Sequence, residues 1–252
     1  MPGAARCGID NGHVMPDNED LIDRQDALHV LAVMGDLSMG QPLDHSRRVA
    51  ALSAAMARQI GWDAQAVAQM QQIALLRWSG CTANGSEIAA TLGDDVKERA
   101  AMQALQFDKI ELLVPLEEIP GRSAQVSAIH CEVSQLVADT LALDDAVADG
   151  LGCVFEHWDG SGHPGGLRGE AIPASALLVG VCSELEVLAR TLGLAAAMQL
   201  LRQRSGVIHP PPMVDCVIQH AAGWLAGIEP LADPQIVESA TTPEPRVGIG
   251  LI

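Results

Sequence analysis

The chain has 252 residues, which is long enough to bury roughly 70% of its unfolded surface, so its core needs neither disulfides nor a structural metal. Its 15 Lys and Arg residues are outnumbered by 32 Asp and Glu residues, and the formal net charge is −17. A surface this acidic repels nucleic acids and anionic membranes, so neither is expected as a partner, whereas a local basic pocket is compatible with it.

The sequence also predicts the compartment in which the chain works. Residues 1–20 contain no apolar signal-peptide core, and no run of about 18 apolar residues occurs anywhere, so we expect a cytoplasmic protein. Cysteines stand at positions 7, 81, 131, 153, 182 and 216 without a CxxC pair. This spacing suits free thiols in a reducing compartment.

Apolar residues recur at helical spacing along most of the chain, and alternating β-branched runs are scarce, so the sequence predicts an all-α fold. The first three helices are predicted from Leu21 to about Gly40, from an N-cap at Asp44 to Gly61, and from an N-cap at Asp63 through Leu76. Residues 80–93 are predicted as a loop with a short helix. Asp94 and Asp95 then open a helix that is expected to reach about Val114.

The second half of the chain continues the helical pattern. A long helix is predicted after Pro120-Gly121, with an inner face formed by Val126, Ile129, Val133, Leu136 and Val137. Asp144 is expected to cap the next helix, which ends in a Gly-rich loop at residues 157–166. Pro173 is expected to open another helix, and two more are predicted near 194–204 and 212–227. We expect one multi-helix bundle over residues 21–228, with flexible segments at 1–20 and 229–252.

Four sequence stretches carry a resemblance to a known family. The run FEHWDGSGHPGGLRGEAIP, residues 155–173, resembles the signature loop of the HD-GYP family, in which Trp-Asp-Gly-Ser-Gly-Tyr-Pro leads to an Ile-Pro helix start. HSRRVAALSAAMARQIG (45–61), ALLRWSG (74–80) and IHCEVSQLVA (129–138) resemble its His-Ser-x-x-Val helix, its His-Asp stretch and its later His-x-Glu helix. The resemblance covers about residues 21–228. Gly80-Cys81-Thr82-Ala83 is similar to a divergent branch that is fused to helix-turn-helix regulators.

The family resemblance implies an all-helical, metal-dependent phosphohydrolase that usually cleaves cyclic di-GMP. Its metal centre needs several His and carboxylate ligands from different helices. This chain keeps two residues at ligand positions, His45 and His130. The other family positions carry residues that differ from the family's pattern: Gln41, Arg77, Trp78, Cys81, Val154, Phe155, His163 and Ser183. Two imidazoles would hold Mn, Fe or Zn weakly, so no cofactor is expected.

Each surviving or replaced residue has two interpretations. His45 and His130 lie on apolar helix stripes and are either hydrogen-bonded core residues or residual ligands. Arg77 either offers a fixed positive charge to a phosphate or pairs with a carboxylate such as Glu87, Asp94 or Asp95, while Trp78 fills the emptied cavity. Cysteines beside ligand positions either form a soft metal site or pack as small apolar residues.

Two functions therefore compete. In the first, the chain is a catalytically degenerate HD-GYP-like regulatory domain that binds a small ligand, such as a nucleotide or cyclic di-GMP, or a partner protein. Its hypothetical ligand-binding residues are Arg77, Trp78, Gly160, Gly162, His163, Pro164 and Arg168. In the second, a rebuilt site still acts as a phosphohydrolase or cyclic di-GMP phosphodiesterase. The apolar helix faces are also compatible with a homodimer.

Overall fold

The computed structural model describes residues 21–228 and 246–248. The predicted flexible segment 1–20 and most of the predicted tail lie outside the described residues. Ten α-helices occupy residues 24–228: α1 (Arg24–Ser38), α2 (His45–Gln59), α3 (Ala64–Leu76), α4 (Gly85–Leu92), α5 (Asp95–Gln103), α6 (Ile119–Thr140), α7 (Asp145–Leu151), α8 (Ala174–Leu192), α9 (Leu194–Arg204) and α10 (Pro211–Ile228). The predicted all-α fold is confirmed, and no helix in residues 24–228 is long and apolar enough to cross a bilayer.

Two short strands connect distant parts of the chain. β1 (Leu21–Asp23) pairs antiparallel with β2 (Arg246–Gly248), so that Ile22 lies opposite Val247. The sequence pattern predicted neither strand. The first predicted helix accordingly begins at Arg24 and not at Leu21, because the side chain of Asp23 accepts a hydrogen bond from the backbone of Gln25 and serves as the N-cap.

The centre of the bundle is α2, which packs mainly against α3 and α8. The sequence pattern predicts an apolar stripe of Val49, Leu52, Met56 and Ile60; the first three are fully buried, whereas Ile60, just beyond the end of α2, is 42% exposed. The main core is completed by buried apolar residues of the neighbouring helices: Met70, Ile73, Leu76, Leu178, Val181 and Leu185. The predicted N-cap of α3 is also present, since Asp63 accepts a hydrogen bond of 2.8 Å from the backbone of Ala66.

The helix predicted from Asp94 to Val114 is much shorter than expected. α5 ends at Gln103, and Leu105 adopts a positive φ of 54° that stops the helix. A single 3-10 turn, Phe107–Lys109, follows.

The turn after α1 contains a glycine at a close contact. Gly40 has a φ of 61°, and a Cβ there would lie 2.9 Å from Cβ of Ala100. Glycine at this turn therefore allows α5 to approach the end of α1 closely.

The buried face of α6 differs from the predicted one. Leu136 is 63% exposed, and the buried residues are mostly small or polar: Ser127, His130, Cys131, Ser134 and Ala138. The reason is a close backbone contact, since a Cβ on Gly80 would lie only 2.2 Å from the carbonyl oxygen of His130. Ser134 Oγ also accepts a hydrogen bond of 3.1 Å from the backbone of Gly80. Small side chains are needed at such an approach, and an apolar periodicity does not reveal them.

Candidate functional site

An aromatic cluster occupies the place where the family resemblance implies a metal centre. Trp78, at the turn after α3, is 1% exposed and packs with Met39, Cys81 and Phe155. The ring centroids of Trp78 and Phe155 lie 6.3 Å apart, and those of Phe155 and His130 lie 4.8 Å apart in an edge-to-face arrangement. Trp78 thus fills the space, as one of the two interpretations predicted.

Arg77 is buried beside this cluster, at the end of α3. Its guanidinium carbon lies 3.9 Å from the ring centroid of Trp78, which is a cation–π contact. Its Nη1 is buried and has no hydrogen-bond partner among the described residues. Burial lowers the pKa of Arg77 to about 9, and the negative charge of Asp36 partly opposes this effect.

The carboxylates that were expected to pair with Arg77 do not do so. Asp95 forms an ion pair with Arg99 instead, with an Nη2–Oδ2 distance of 3.6 Å. No ion pair joins Arg77 to Glu87 or Asp94 in the part of the chain that the structure describes. Asp36 and Glu184 favour the charged form of Arg77 through electrostatics, without an ion pair or hydrogen bond to it among the described residues. The charge of Arg77 is therefore only partly compensated.

His130 is fully buried, and its two ring nitrogens face different partners. Nε2 lies 2.7 Å from the carbonyl oxygen of Arg77, and because a carbonyl only accepts, Nε2–H is the donor. Nδ1 lies 3.5 Å from Sγ of Cys81. Burial is the main cause that lowers the pKa of His130 to about 4; the hydrogen bond to the Arg77 carbonyl opposes it, and the charges of Arg77 and Arg99 add to it. His130 is therefore a neutral core residue that holds the Arg77 backbone in place.

His45, the first residue of α2, belongs to a separate polar network. Its Nδ1 donates to Oε2 of Glu186 at 2.7 Å, and Arg48 and Arg190 donate to Oε1 of the same carboxylate at 3.0 and 3.1 Å. Burial alone would raise the pKa of Glu186, but the hydrogen bond and charge of His45 and the contacts of Arg190 outweigh it and lower the pKa to about 2. His45 Nε2 is buried without a partner among the described residues.

The other family ligand positions have side chains that pack and do not coordinate. Val154 packs against the main core, Phe155 packs in the aromatic cluster, and the hydroxyl of Ser183 is buried without a hydrogen bond in the described residues. Gln41 receives a hydrogen bond of 2.6 Å from Arg190. Cys81 is a free thiol whose pKa is raised to about 11 by burial, so it stays protonated near neutral pH.

These residues do not fit the family's metal centre. A site with two or three metals requires bridging carboxylates and several imidazoles, whereas one position has become a buried guanidinium. His45 alone keeps the arrangement typical of a ligand, a carboxylate on Nδ1 and a bare Nε2. No group of three or more His, Cys, Asp or Glu side chains within residues 21–228 is arranged to hold a metal ion.

The Gly-rich loop is held by backbone contacts on both sides. The backbone nitrogens of Trp158 and Asp159 donate to the carbonyls of Ile208 and Val207 at 3.1 and 2.9 Å. Buried Glu156 accepts hydrogen bonds from the backbone of Gly165 and Leu167 at 2.6 and 2.8 Å. The loop conformation is thus fixed by the chain itself and by one internal carboxylate.

The structure divides the predicted ligand-binding residues into two groups. Arg77 and Trp78 lie together and are buried. The loop residues are at or near the surface: Gly160 and His163 are half-buried, Pro164 and Arg168 are exposed, and only Gly162 is buried. A Cβ at Gly162 would lie 2.3 Å from the backbone nitrogen of His157, which explains this glycine. Within the described residues, no hydrogen bond or ion pair connects Arg77 with the loop. The assignment of both groups to one ligand site stays a prediction.

Sequence reasoning missed Glu186 and Glu156, the two carboxylates that organise the site. A signal for Glu186 exists, because it stands on an apolar stripe between Leu185 and Leu188 with Arg190 four residues later, at ion-pair spacing. No comparable feature of the sequence pointed to the role of Glu156. Its partners are backbone groups of a loop, which no side-chain pattern reveals.

Known proteins with similar sequences and structures agree with the HD-type motifs found in the sequence. The family model for the HD domain matches residues 124–209, which include α7, the Gly-rich loop and α8. The chain is 23% identical over 206 residues to 3'3'-cGAMP-specific phosphodiesterase 3 of Vibrio cholerae, covering 73% of this chain and 45% of that protein. The crystal structure of a cyclic GMP-AMP specific phosphodiesterase of V. cholerae has a TM-score of 0.66 at 21% identity, covering 84% of this chain and 53% of that one.

The chain spans about half the length of these relatives. The narrower resemblance to domains fused to helix-turn-helix regulators stays a prediction. The HD-domain match over residues 124–209, the related phosphodiesterase sequence and the shared helical fold support a relationship between this chain and the HD-domain phosphohydrolase family.

Proposed function

We propose that this chain is an HD domain that has lost metal-dependent hydrolysis and acts by binding, either to a small phosphate-bearing ligand or to a regulatory partner protein. One observation carries the proposal. The guanidinium of Arg77 lies buried where the family resemblance implies a metal-binding imidazole. A fixed cation there repels divalent metals and attracts anions.

The neighbouring contacts support the same proposal. Phe155 packs edge-to-face on His130, and the side chain of His130 is engaged by the Arg77 carbonyl. A metal would have to displace Phe155 and compete with the Arg77 charge. The preserved loop offers exposed Arg168 and half-buried His163 as surface contacts for an anionic ligand.

A second candidate is cyclic dinucleotide hydrolysis. The V. cholerae relatives are phosphodiesterases, and this relationship favours an enzyme over a binding module. His45 supports it too, because the Glu186–His45 pair leaves Nε2 free. The two candidates differ in one measurable result, the appearance of a linear product.

The test is to incubate the full chain with cyclic di-GMP or 3'3'-cGAMP in the presence of Mn²⁺ or Fe²⁺, and to follow binding and product formation together. We expect saturable binding without a linear dinucleotide product. Arg168→Gln should weaken binding about tenfold if it contributes one charge-assisted hydrogen bond, whereas exposed Arg58→Gln should not. Catalytic turnover that His45→Ala abolishes would overturn the binding proposal in favour of hydrolysis.

A further inference from the structure

Both lysines of this chain line the same cavity. Lys97 lies in α5, Lys109 ends the 3-10 turn after it, and Arg190 of α8 completes the basic lining. The cavity has a volume of about 280 Å³, and no Asp or Glu side chain is among the described residues that line it. This clustering is unexpected in a chain with 32 acidic residues and a net charge of −17. We call this cavity, lined by Lys97, Lys109 and Arg190, the lysine cavity.

The positive charges around the lysine cavity exceed the carboxylates that neutralise them. Lys109 Nζ donates to Oε1 of Gln106 at 2.9 Å and forms no ion pair within the residues that the structure describes. Lys97 Nζ lies 3.3 Å from Oε1 of Glu98, but the Lys97 side chain is 69% exposed, so this contact is weak. A surplus of positive charge therefore remains at the cavity.

The third cation shares its carboxylate. Arg190 pairs with Glu186, and the same carboxylate also neutralises Arg48. One negative charge thus serves two guanidiniums. Arg190 Nη2 is fixed in place by its hydrogen bond to Oε1 of Gln41, which orients the guanidinium at the cavity wall before any ligand binds.

Size and lining indicate the kind of ligand. A volume of about 280 Å³ lies at the lower end of the range for ligand pockets, which is roughly 300–1,000 Å³. Ala100, Ala104 and Val187 also line the cavity and give it an apolar surface suited to the carbon skeleton of a ligand. Because the lining of this small cavity combines three cations with an apolar surface, a compact organic phosphate fits better than a cyclic dinucleotide.

We infer that the lysine cavity is an anion-binding site for a small phosphate-bearing molecule. The residues that line the site include neither Arg77 and Trp78 nor any residue of the Gly-rich loop; both lysines precede residues 124–209, the segment matched by the HD-domain model, whereas Arg190 lies within it. The inference therefore does not depend on the proposed loss of hydrolysis.

The experiment is calorimetric titration of the full chain at low ionic strength with inorganic phosphate and with AMP, and with uncharged adenosine as the control ligand. We expect saturable binding of phosphate and AMP. Lys109→Gln should weaken both about tenfold, the effect of one lost charge-assisted hydrogen bond, and the Lys97→Gln/Lys109→Gln pair should abolish saturation. Both side chains are exposed, so the variants should keep the melting temperature of the wild type.

Arg58→Gln is the matched control, because Arg58 is an exposed cation outside the lysine cavity. It should leave phosphate and AMP affinity unchanged. Absence of saturable binding by the wild type, unchanged affinity in the double lysine variant, or an equal loss in Arg58→Gln would each overturn the inference.

Discussion

The polar network around Glu186 and the aromatic cluster around Trp78 both include positions where the family resemblance implies a metal ligand, but they are stabilised in opposite ways. In the polar network, one buried carboxylate receives hydrogen bonds from His45, Arg48 and Arg190. In the aromatic cluster, Arg77 Nη1 and Trp78 Nε1 are buried without a hydrogen-bond partner among the described residues.

The difference indicates which of the two regions has polar groups available for ligand binding. A carboxylate with three donors is nearly saturated, and its charge is used within the fold. Unpaired buried donors cost free energy, so their retention indicates either a ligand that satisfies them or a burden on stability. The network around Glu186 is thus expected to maintain the fold, whereas Arg77 is the residue to test for binding.

The largest expected effect comes from breaking the polar network. Glu186→Gln leaves two guanidiniums and His45 without their shared charge in a buried site, so the free energy of unfolding should fall by about 3 kcal/mol. Urea unfolding followed by circular dichroism measures it.

The matched control is Glu118→Gln, which removes the carboxylate from the exposed Glu118–Arg122 pair. It should change the free energy of unfolding by less than about 0.5 kcal/mol. Equal effects of the two substitutions would contradict the contrast between the buried network and surface pairs.

The two regions should also lose stability in different pH ranges. Burial lowers the pKa of His130 from 6.5 to about 4 in the folded chain. Between these two pH values the unfolded chain binds a proton that the folded chain does not. The free energy of unfolding should therefore fall as the pH drops from 6.5 to 4. Burial alone would raise the pKa of Glu186, but its hydrogen-bond donors outweigh burial and lower the pKa from 4.5 to about 2. The stabilisation of the fold by Glu186 is therefore complete above pH 4.5 and is lost as the pH falls towards 2. Each of these two changes in the free energy of unfolding is on the order of 3 kcal/mol.

Urea unfolding of three proteins across this pH range measures both contributions. Relative to the wild type, His130→Gln should flatten the dependence between pH 6.5 and 4, and Glu186→Gln should flatten it between pH 4.5 and 2. The opposite assignment of the two ranges would refute the account of the two regions.

The smallest expected effect comes from Arg77. Because burial disfavours its charge and no carboxylate pairs with it in the described residues, Arg77→Met should raise the free energy of unfolding by about 1 kcal/mol. Arg48→Met, which removes a paired guanidinium from Glu186, should lower it. Thermal unfolding of both variants decides the sign, and a clear loss of stability in Arg77→Met would mean that its charge is compensated after all.

Much of the helical architecture could be predicted because it follows from local apolar periodicity. The stripe of Val49, Leu52 and Met56 and the cap at Asp63 are of this kind. The buried face of α6 could not be predicted, because the close approach of Gly80 selects small side chains over Leu136. Such an approach depends on a distant segment of the chain.

In the candidate site too, features that follow from helical position were predicted, whereas contacts between distant segments were not. The inward position of His45 and His130 and the packing of Trp78 were predicted correctly from helical position. The expected partners of Arg77 were wrong, because proximity in sequence suggested Asp94 and Asp95, whereas the fold gives Asp95 to Arg99. Glu186 was missed because its three donors come from two helices, α2 and α8.

We propose, as the main conclusion, that the chain keeps an HD-domain architecture without the residues of its metal centre. Its most direct test is the content of Mn, Fe and Zn in the full chain purified without chelators, measured by inductively coupled plasma mass spectrometry. We predict metal well below one ion per chain, because a buried guanidinium and an aromatic cluster occupy the ligand positions. Two ions per chain, lost in His45→Ala, would contradict the claim.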